Sequence, residues 1–411
     1  MKARKIVNNE NQELSNTYQQ SGSLQALCEY LWPNCFPQNF TISGGSKEER
    51  CQPLLPLLSV AFRRMPVIMI HRGSRELEHV AISAMKNANI NGEKKLRIIN
   101  QANPFFEPFR GMGDMQVNRI IKALAEKLNY TLTPGFEKIV YAHLEILHLL
   151  EIPVSLTGLV YLCRFRDMAK FHAKIMKLPC EGRTARRIWS DLGIEGDENN
   201  GQFDLFRNVI RGLQAEAMQS GWTDENEVTL PNCVETMQNG GVLLLSINDM
   251  HSDLLMTYLA EELKEAGMRE FMLLLDDIKL TDENFLSFLK RAGNNCHIGI
   301  ISDNIVNMFE GNKDNFQLVM EKMNCIVLFK HSTGSVAQIL SELIGKYDYT
   351  KVDSSYGTNR GFFNILPEGK HEELHYSIEN RYRVMPEEII NLYAQQAIVF
   401  DTRTNEIIFY N

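Results

Sequence analysis

Two adjacent acids, Asp276 and Asp277, follow the apolar run Phe271-Met-Leu-Leu-Leu275. A continuous apolar run of that length reads as a strand buried on both faces, as in the middle of a parallel sheet. The acids then fall at its carboxyl end, where open α/β sheets bind their ligands. Two carboxylates in that place suit nucleotide hydrolysis. One orients Mg²⁺ or its water, and the other polarises the attacking water. The same two residues also suit solvated acids opening a loop.

A second stretch bears on the same chemistry. Phe40-Thr-Ile-Ser-Gly-Gly-Ser-Lys47 passes from a β-like piece through two glycines to a lysine, then into a helical pattern and the strand Val67–His71. That is the order of parts in a phosphate-binding loop, where backbone N–H groups wrap the phosphates, a lysine reaches the β and γ groups, and a hydroxyl holds Mg²⁺. Gly44, Gly45 and Lys47 answer to it, but Glu48 stands where the hydroxyl belongs and the loop is short. A carboxylate there repels a triphosphate. A plain glycine turn capping a helix explains the residues as well.

Other chemistry-bearing residues carry less. Tyr161–Lys177 interleaves Arg164, Arg166, Lys170, Lys174 and Lys177 with Phe165, Phe171 and His172. Such a run can track a nucleic-acid backbone, and a solvated helix face reads the same way. His143 and His148 are five residues apart on one expected helix, roughly 140° around it, so they do not share the face a zinc ion needs. Cys296 beside His297 has no third partner in sequence for nucleophilic catalysis. Gly111-Met-Gly113 is too short for a dinucleotide loop.

The elements that must position the acids and the glycine loop follow from periodicity. The 411 residues exceed one average core, so more than one domain is expected. Apolar residues make up 44% and charged residues 23%, an ordinary globular balance. A net charge of −8 argues against nucleic-acid coating by the whole surface. Eight cysteines without a Cys-x-x-Cys pair read as reduced, buried residues of a cytosolic protein. No uninterrupted apolar run reaches membrane-spanning length. Residues 1–22 read as a loose polar arm, and 23–32 as a helix stopped by Pro33. Strands are expected at Val67–His71, Lys95–Asn100, Gly240–Asn248, Glu270–Asp277, Cys296–Asp303 and Asn324–Lys330, with helices between the last four. This predicts a parallel sheet with right-handed crossovers. From about Met115 to Gly221 the period is helical throughout, including one long pattern over Ser155–Leu178. Residues 348–380 read as irregular, and Gln396–Tyr410 as a terminal hairpin.

This order of parts resembles the type IV coupling proteins of conjugation and type IV secretion, the TraD/TraG-like branch of the FtsK/HerA P-loop ATPases. "FTISGGSK" with "PLLPLL" sits where that family has its Walker A loop and following helix, and "PVIMIHRGS" looks like the next strand. "ANPF" resembles its Asn-Pro-Phe turn before a helical insertion. "GGVLLLSIN" and "FMLLLDD" resemble the strand before Walker B and Walker B itself, and "HIGIISDN" the strand whose end usually carries a glutamine sensor. "NCIVLFK…AQILSELIGK" and "RYRVMPEEIINLYAQQAIVFD" resemble later segments, so the likeness runs over about residues 36–411.

The resemblance implies an α/β fold: a RecA-like P-loop domain with a mainly parallel sheet, and an inserted all-helical domain. Boundaries are expected at 1–36 for an arm and short helix, 37–110 and 236–411 for the two parts of the RecA-like domain, and 111–235 for the helical insert. It further implies ATP and Mg²⁺ as cofactors, bound by Gly44, Gly45, Ser46 and Lys47, with Asp276 on the metal, Asp277 in the place of the catalytic glutamate and Asp303 at the sensor position. Arg291 is the candidate arginine reaching a neighbouring subunit. The family acts as hexamers at the inner membrane with other secretion components, moving DNA or protein substrate. Three departures bear on this: a Walker A loop without its Ser/Thr, Asp for the catalytic Glu, and no N-terminal membrane helices. An active ATPase and an inactive scaffold that recruits a partner through the helical insert stay equally open. Either is expected in the cytoplasm, held peripherally at the inner membrane by partners.

Overall fold

The computed structural model describes residues 4–6, 27, 38–88, 95–194, 200–223, 232–248, 252–266, 270–358 and 370–410. Its strands are β1 (Arg4–Ile6), β2 (Phe40–Ser43), β3 (Val67–His71), β4 (Leu96–Ile99), β5 (Val242–Ser246), β6 (Phe271–Asp276), β7 (Cys296–Ser302), β8 (Cys325–Leu328), β9 (Lys346–Thr358), β10 (Lys370–Tyr382), β11 (Ala397–Asp401) and β12 (Glu406–Tyr410). Ten of them form one sheet in the order β1-β12-β11-β8-β2-β7-β6-β3-β5-β4. The seven from β8 to β4 are mutually parallel, and β11, β12 and β1 add an antiparallel edge.

The apolar runs explain the central strands. Every residue of β3 and β6 is buried. Successive side chains alternate between two cores. Ile68, Ile70, Phe271, Leu273 and Leu275 enter one core, and Val67, Met69, Met272 and Leu274 the other. The helices Leu54–Arg64 and Arg75–Ala88 cover the second face. Asp253–Ala266, Glu283–Arg291 and Lys313–Met320 cover the first. Helices on both faces of a parallel sheet are the doubly wound arrangement.

Among the described residues, seven helices lie between β4 and β5: Asp114–Lys127, Pro134–Leu149, Leu156–Cys163, Met168–Ile175, Gly182–Asp191, Asn200–Gln219 and Cys233–Gln238. Their apolar faces join the first core rather than forming a separate one. The Tyr258 hydroxyl accepts from the Phe109 N–H at 3.1 Å, and Lys127 pairs with buried Asp282 at 2.9 Å. Where the chain returns to the sheet, Gly221 has φ +71°, and a Cβ there would lie 2.3 Å from the Gln101 nitrogen. Only glycine permits that approach. Trp222 next to it is buried and donates its indole N–H to the Ser246 carbonyl at 2.6 Å.

Three expectations need correction. The single helix over Ser155–Leu178 is two helices, broken at Arg164–Asp167. Asp167 caps the second by accepting from the Lys170 N–H, and the break lets Phe165 stack on Phe171 at 5.0 Å. Within residues 348–380, the described residues 348–358 and 370–380 are strand, not irregular. β9 and β10 pair antiparallel from Lys346↔Tyr382 to Thr358↔Lys370. Their polar composition hides a two-residue alternation that surfaces only at Leu374, Tyr376 and Ile378. Within the polar arm, Arg4–Ile6 forms the edge strand against β12. The helix expected over 23–32 lies outside the described residues except for buried Leu27.

Candidate functional site

The glycine loop follows β2, at the carboxyl end of the sheet. Gly44 and Gly45 hold φ of +88° and +66°. A Cβ on Gly44 would meet the Phe329 and Lys330 carbonyls at 2.7 and 2.8 Å, so both conformation and space demand glycine. Ser46 then caps the five-residue helix Lys47–Cys51, its hydroxyl accepting from the Glu49 N–H at 3.2 Å.

A phosphate cradle needs backbone N–H groups free to face a ligand. Here they already have acceptors. Gly44 donates to the Ser302 carbonyl at 3.0 Å and Gly45 to the Lys330 carbonyl at 2.9 Å. Ser46 donates to the Glu49 carboxylate at 2.8 Å, completing a reciprocal capping box. The other oxygen of Glu49 accepts from the Gln395 N–H at 2.6 Å. Glu48 is held below the usual carboxylate range, first by its own backbone N–H and then by the Ser46 hydroxyl.

Arg50 lies beneath the loop, 3% exposed. Its guanidinium donates to the Gly45 carbonyl at 2.8 Å, the Gly44 carbonyl at 3.3 Å and the Asp277 carboxylate at 3.1 Å. Asp277, at φ +52°, also accepts from the Asp303 N–H at 3.2 Å. Each of its oxygens therefore accepts one hydrogen bond from the protein. Asp303, Ser46 and Glu49 border a cleft of about 560 Å³ with Asn304, Lys330 and His331.

Asp276 differs from its neighbour. It is 1% exposed, and its Oδ2 has no hydrogen-bond partner among the described residues. Burial, then the charge of Asp277, raises its pKa to about 6, while Lys47, a hydrogen bond from Ser74 and Arg50 pull it back. Across the sheet it is in register with His71, which accepts from the Ser74 N–H at 2.8 Å and leaves Nε2 unpartnered. Burial, and then Lys47, lower His71 to about 4, so it is neutral. The Lys47 ammonium lies 3.9 Å from Glu76 at the start of the helix Arg75–Ala88.

The structure thus brings Gly44, Gly45, Ser46, Lys47, Asp276, Asp277 and Asp303 to one end of the sheet. Arg291 is not among them. It lines a cleft of about 470 Å³ with Phe271 and Cys296, the first residues of β6 and β7. A six-residue strand puts that roughly 17 Å from Asp276. Sequence reasoning missed Glu49, Arg50, Gln395, Ser74 and His71. One signal was present: Ser46-x-x-Glu49 is capping-box spacing and points to a helix cap.

These residues do not fit a triphosphate with its metal ion. The Gly44, Gly45 and Ser46 N–H groups are engaged, Glu48 and Glu49 add negative charge, and Glu48 follows Lys47 where a hydroxyl would hold the ion. Asp276 keeps an oxygen without a hydrogen bond that could face a cation.

Solved structures of the bacterial conjugative coupling protein TrwB share this fold. Its unbound monoclinic form aligns with TM-score 0.51 at 14% identity, over 89% of this chain and 82% of that one. TrwB in complex with the non-hydrolysable GTP analogue GDPNP gives 0.52 at 13% identity, over 89% and 83%. Its complex with the ATP analogue ADPNP gives 0.51 at 13% identity, over the same shares. The chain has the coupling-protein fold. No protein-family model and no curated protein sequence matches it. TrwB is thus seen with nucleotide analogues.

Proposed function

We propose that this chain, with the fold of TrwB, serves a conjugation or type IV secretion apparatus in delivering DNA or protein substrate, with ATP turnover weak or lost. The supporting observation is the engagement of the Gly44, Gly45 and Ser46 N–H groups by protein acceptors. Residues 37–110 and 236–411 form the RecA-like part in this reading, and 111–235 the helical insert. Assembly as a hexamer would bring Arg291 of one subunit toward the Asp276 end of the next. No helix among the described residues is long and apolar enough to cross a membrane, and partners would hold the chain at the inner membrane. Isothermal titration with ATP and Mg²⁺ tests the reading. We expect no heat at millimolar nucleotide, for wild type or Lys47→Ala. Binding in wild type that Lys47→Ala or Asp276→Ala abolishes would establish an active site and overturn it.

A second reading, a non-enzymatic adaptor recruiting a partner through the helical insert, draws on one surface. Lys170, Lys174, Lys177, Arg183, Arg186 and Arg187 are all exposed on or beside the helices Met168–Ile175 and Gly182–Asp191. They form a basic face on a chain of net charge −8. Partner capture by the full chain that disappears when Lys174, Arg183 and Arg186 become Glu would favour it; capture unaffected by that change would count against it.

A further inference from the structure

Three segments far apart in sequence meet at the glycine loop: Gly44–Arg50 itself, Asp277 after β6, and Gln395 before β11. Two adjacent side chains join them. Glu49 accepts backbone N–H groups from Ser46 and Gln395, at 2.8 and 2.6 Å. Binding two backbone donors at once is what an anion does at such a loop. Arg50 spans two loop carbonyls and the Asp277 carboxylate. Holding carbonyl and carboxylate oxygens together is what a cation does there.

The Gln395 end shows the same dependence. Gln395 has φ +67°, a region that side chains other than glycine rarely occupy. Its loop closes on itself, the Gln396 N–H donating to the Tyr393 carbonyl and the Gln396 side chain accepting from the Tyr393 N–H. That closure leaves the Gln395 N–H directed at Glu49. Such a conformation persists where the surroundings over-determine it.

We infer that Glu49 and Arg50 are a built-in replacement for a bound anion and its cation. They act as an internal strap that fixes the glycine loop to the Gln395 segment whether or not nucleotide is present. The inference rests on the reading of a site without nucleotide turnover and deepens it: an external ligand has been exchanged for a joint between distant parts of the chain. The strap makes the position of the Gln395 segment a property of the sequence and not of nucleotide state.

Residue-resolved hydrogen exchange on the full chain tests this, with wild type, Glu49→Ala and Glu49→Gln, each with and without millimolar ATP and Mg²⁺. In wild type the Ser46 and Gln395 amides are both protected, and nucleotide leaves them unchanged. In Glu49→Ala both lose protection together, about tenfold or more, as expected for loss of a bond to a charged acceptor. The amides of β6 keep theirs, which shows that the variant is folded. Glu49→Gln retains a neutral acceptor and loses less. If Gln395 exchanges freely in wild type, or stays protected in Glu49→Ala, the strap is wrong and the nucleotide reading stands. If ATP raises protection at Gly44–Ser46 in wild type, both are wrong. Because Arg50→Ala removes a buried charge, the decision is placed on the Glu49 variants.

Discussion

Two regions at the carboxyl end of this sheet have opposite accounts of their hydrogen bonds. Beyond β2, each N–H from Gly44 to Ser46 has a protein acceptor, and Asp277 uses both oxygens. Beyond β6 and β3, two and three strands from β2 and so roughly 10–14 Å across the ladder, Asp276 Oδ2 and His71 Nε2 are buried with no hydrogen-bond partner among the described residues. Native proteins leave few such groups, and each calls for an explanation. The difference separates two environments within one site: the loop has internal partners for its N–H groups, while the acid side keeps buried polar atoms without a hydrogen bond among the described residues.

The largest effect is expected on the satisfied side. Arg50→Ala removes a buried guanidinium from the half-buried Asp277 carboxylate and two loop carbonyls. We expect a loss of about 3–5 kcal/mol, read as a lower urea midpoint at constant slope. Arg50→Lys recovers only part, because an ammonium cannot bridge three oxygens in a plane. An Arg50→Ala midpoint within error of wild type would erase the contrast between the two regions.

On the unsatisfied side the sign reverses. Asp276 titrates near 6 in the folded protein against an ordinary value of 3.8. A group whose folded pKa is raised costs stability once the pH exceeds its unfolded value. The cost grows from about pH 4 to 6 and is then constant, about 3 kcal/mol at full size. Asp276→Asn is therefore expected to be more stable than wild type at pH 7, with an advantage that vanishes below pH 4. His71 works the other way. Its folded value of about 4 lies below the ordinary 6.5, so its contribution is lost as pH falls from 6.5 to 4. Wild type has both effects and Asp276→Asn only the second, so the variant's stability should fall more steeply on acidification. Denaturant midpoints between pH 4 and 8 measure it. A variant less stable than wild type at pH 7 would mean that Asp276 has a favourable partner.

The smallest effect is expected at Glu49. Removing a capping-box acid costs about 1 kcal/mol, visible as a small drop in Tm. Loss of several kcal/mol in Glu49→Ala would mean that the loop depends on this carboxylate as heavily as on Arg50.

The apolar runs made β3, β5, β6, β7 and β8 legible, because a strand buried on both faces has to be continuously apolar. The same runs placed Asp276 and Asp277 at the carboxyl end. What filled the site was not legible. Arg50 meets Asp277 across 227 residues and Glu49 meets Gln395 across 346, and no local pattern encodes such pairs. Arg291, expected to reach a neighbouring subunit, is carried by the helix Glu283–Arg291 to the amino end of β7 in its own chain. The ribbon of β9 and β10 escaped notice because its alternation is mostly between polar residues, without the apolar contrast that marks a half-buried strand.

The helical insert shares its core with one face of the sheet. Mechanically this is a welded joint. A load on the helices reaches the strands below through close-packed side chains, which have two ways to respond: hold, or repack together. Lys127 against Asp282 and Tyr258 under Phe109 are rivets on that seam. Cutting out residues 111–235 would bare an apolar surface on both pieces, so neither should behave as a free-standing part. Whatever the helices grip, the sheet is made to feel.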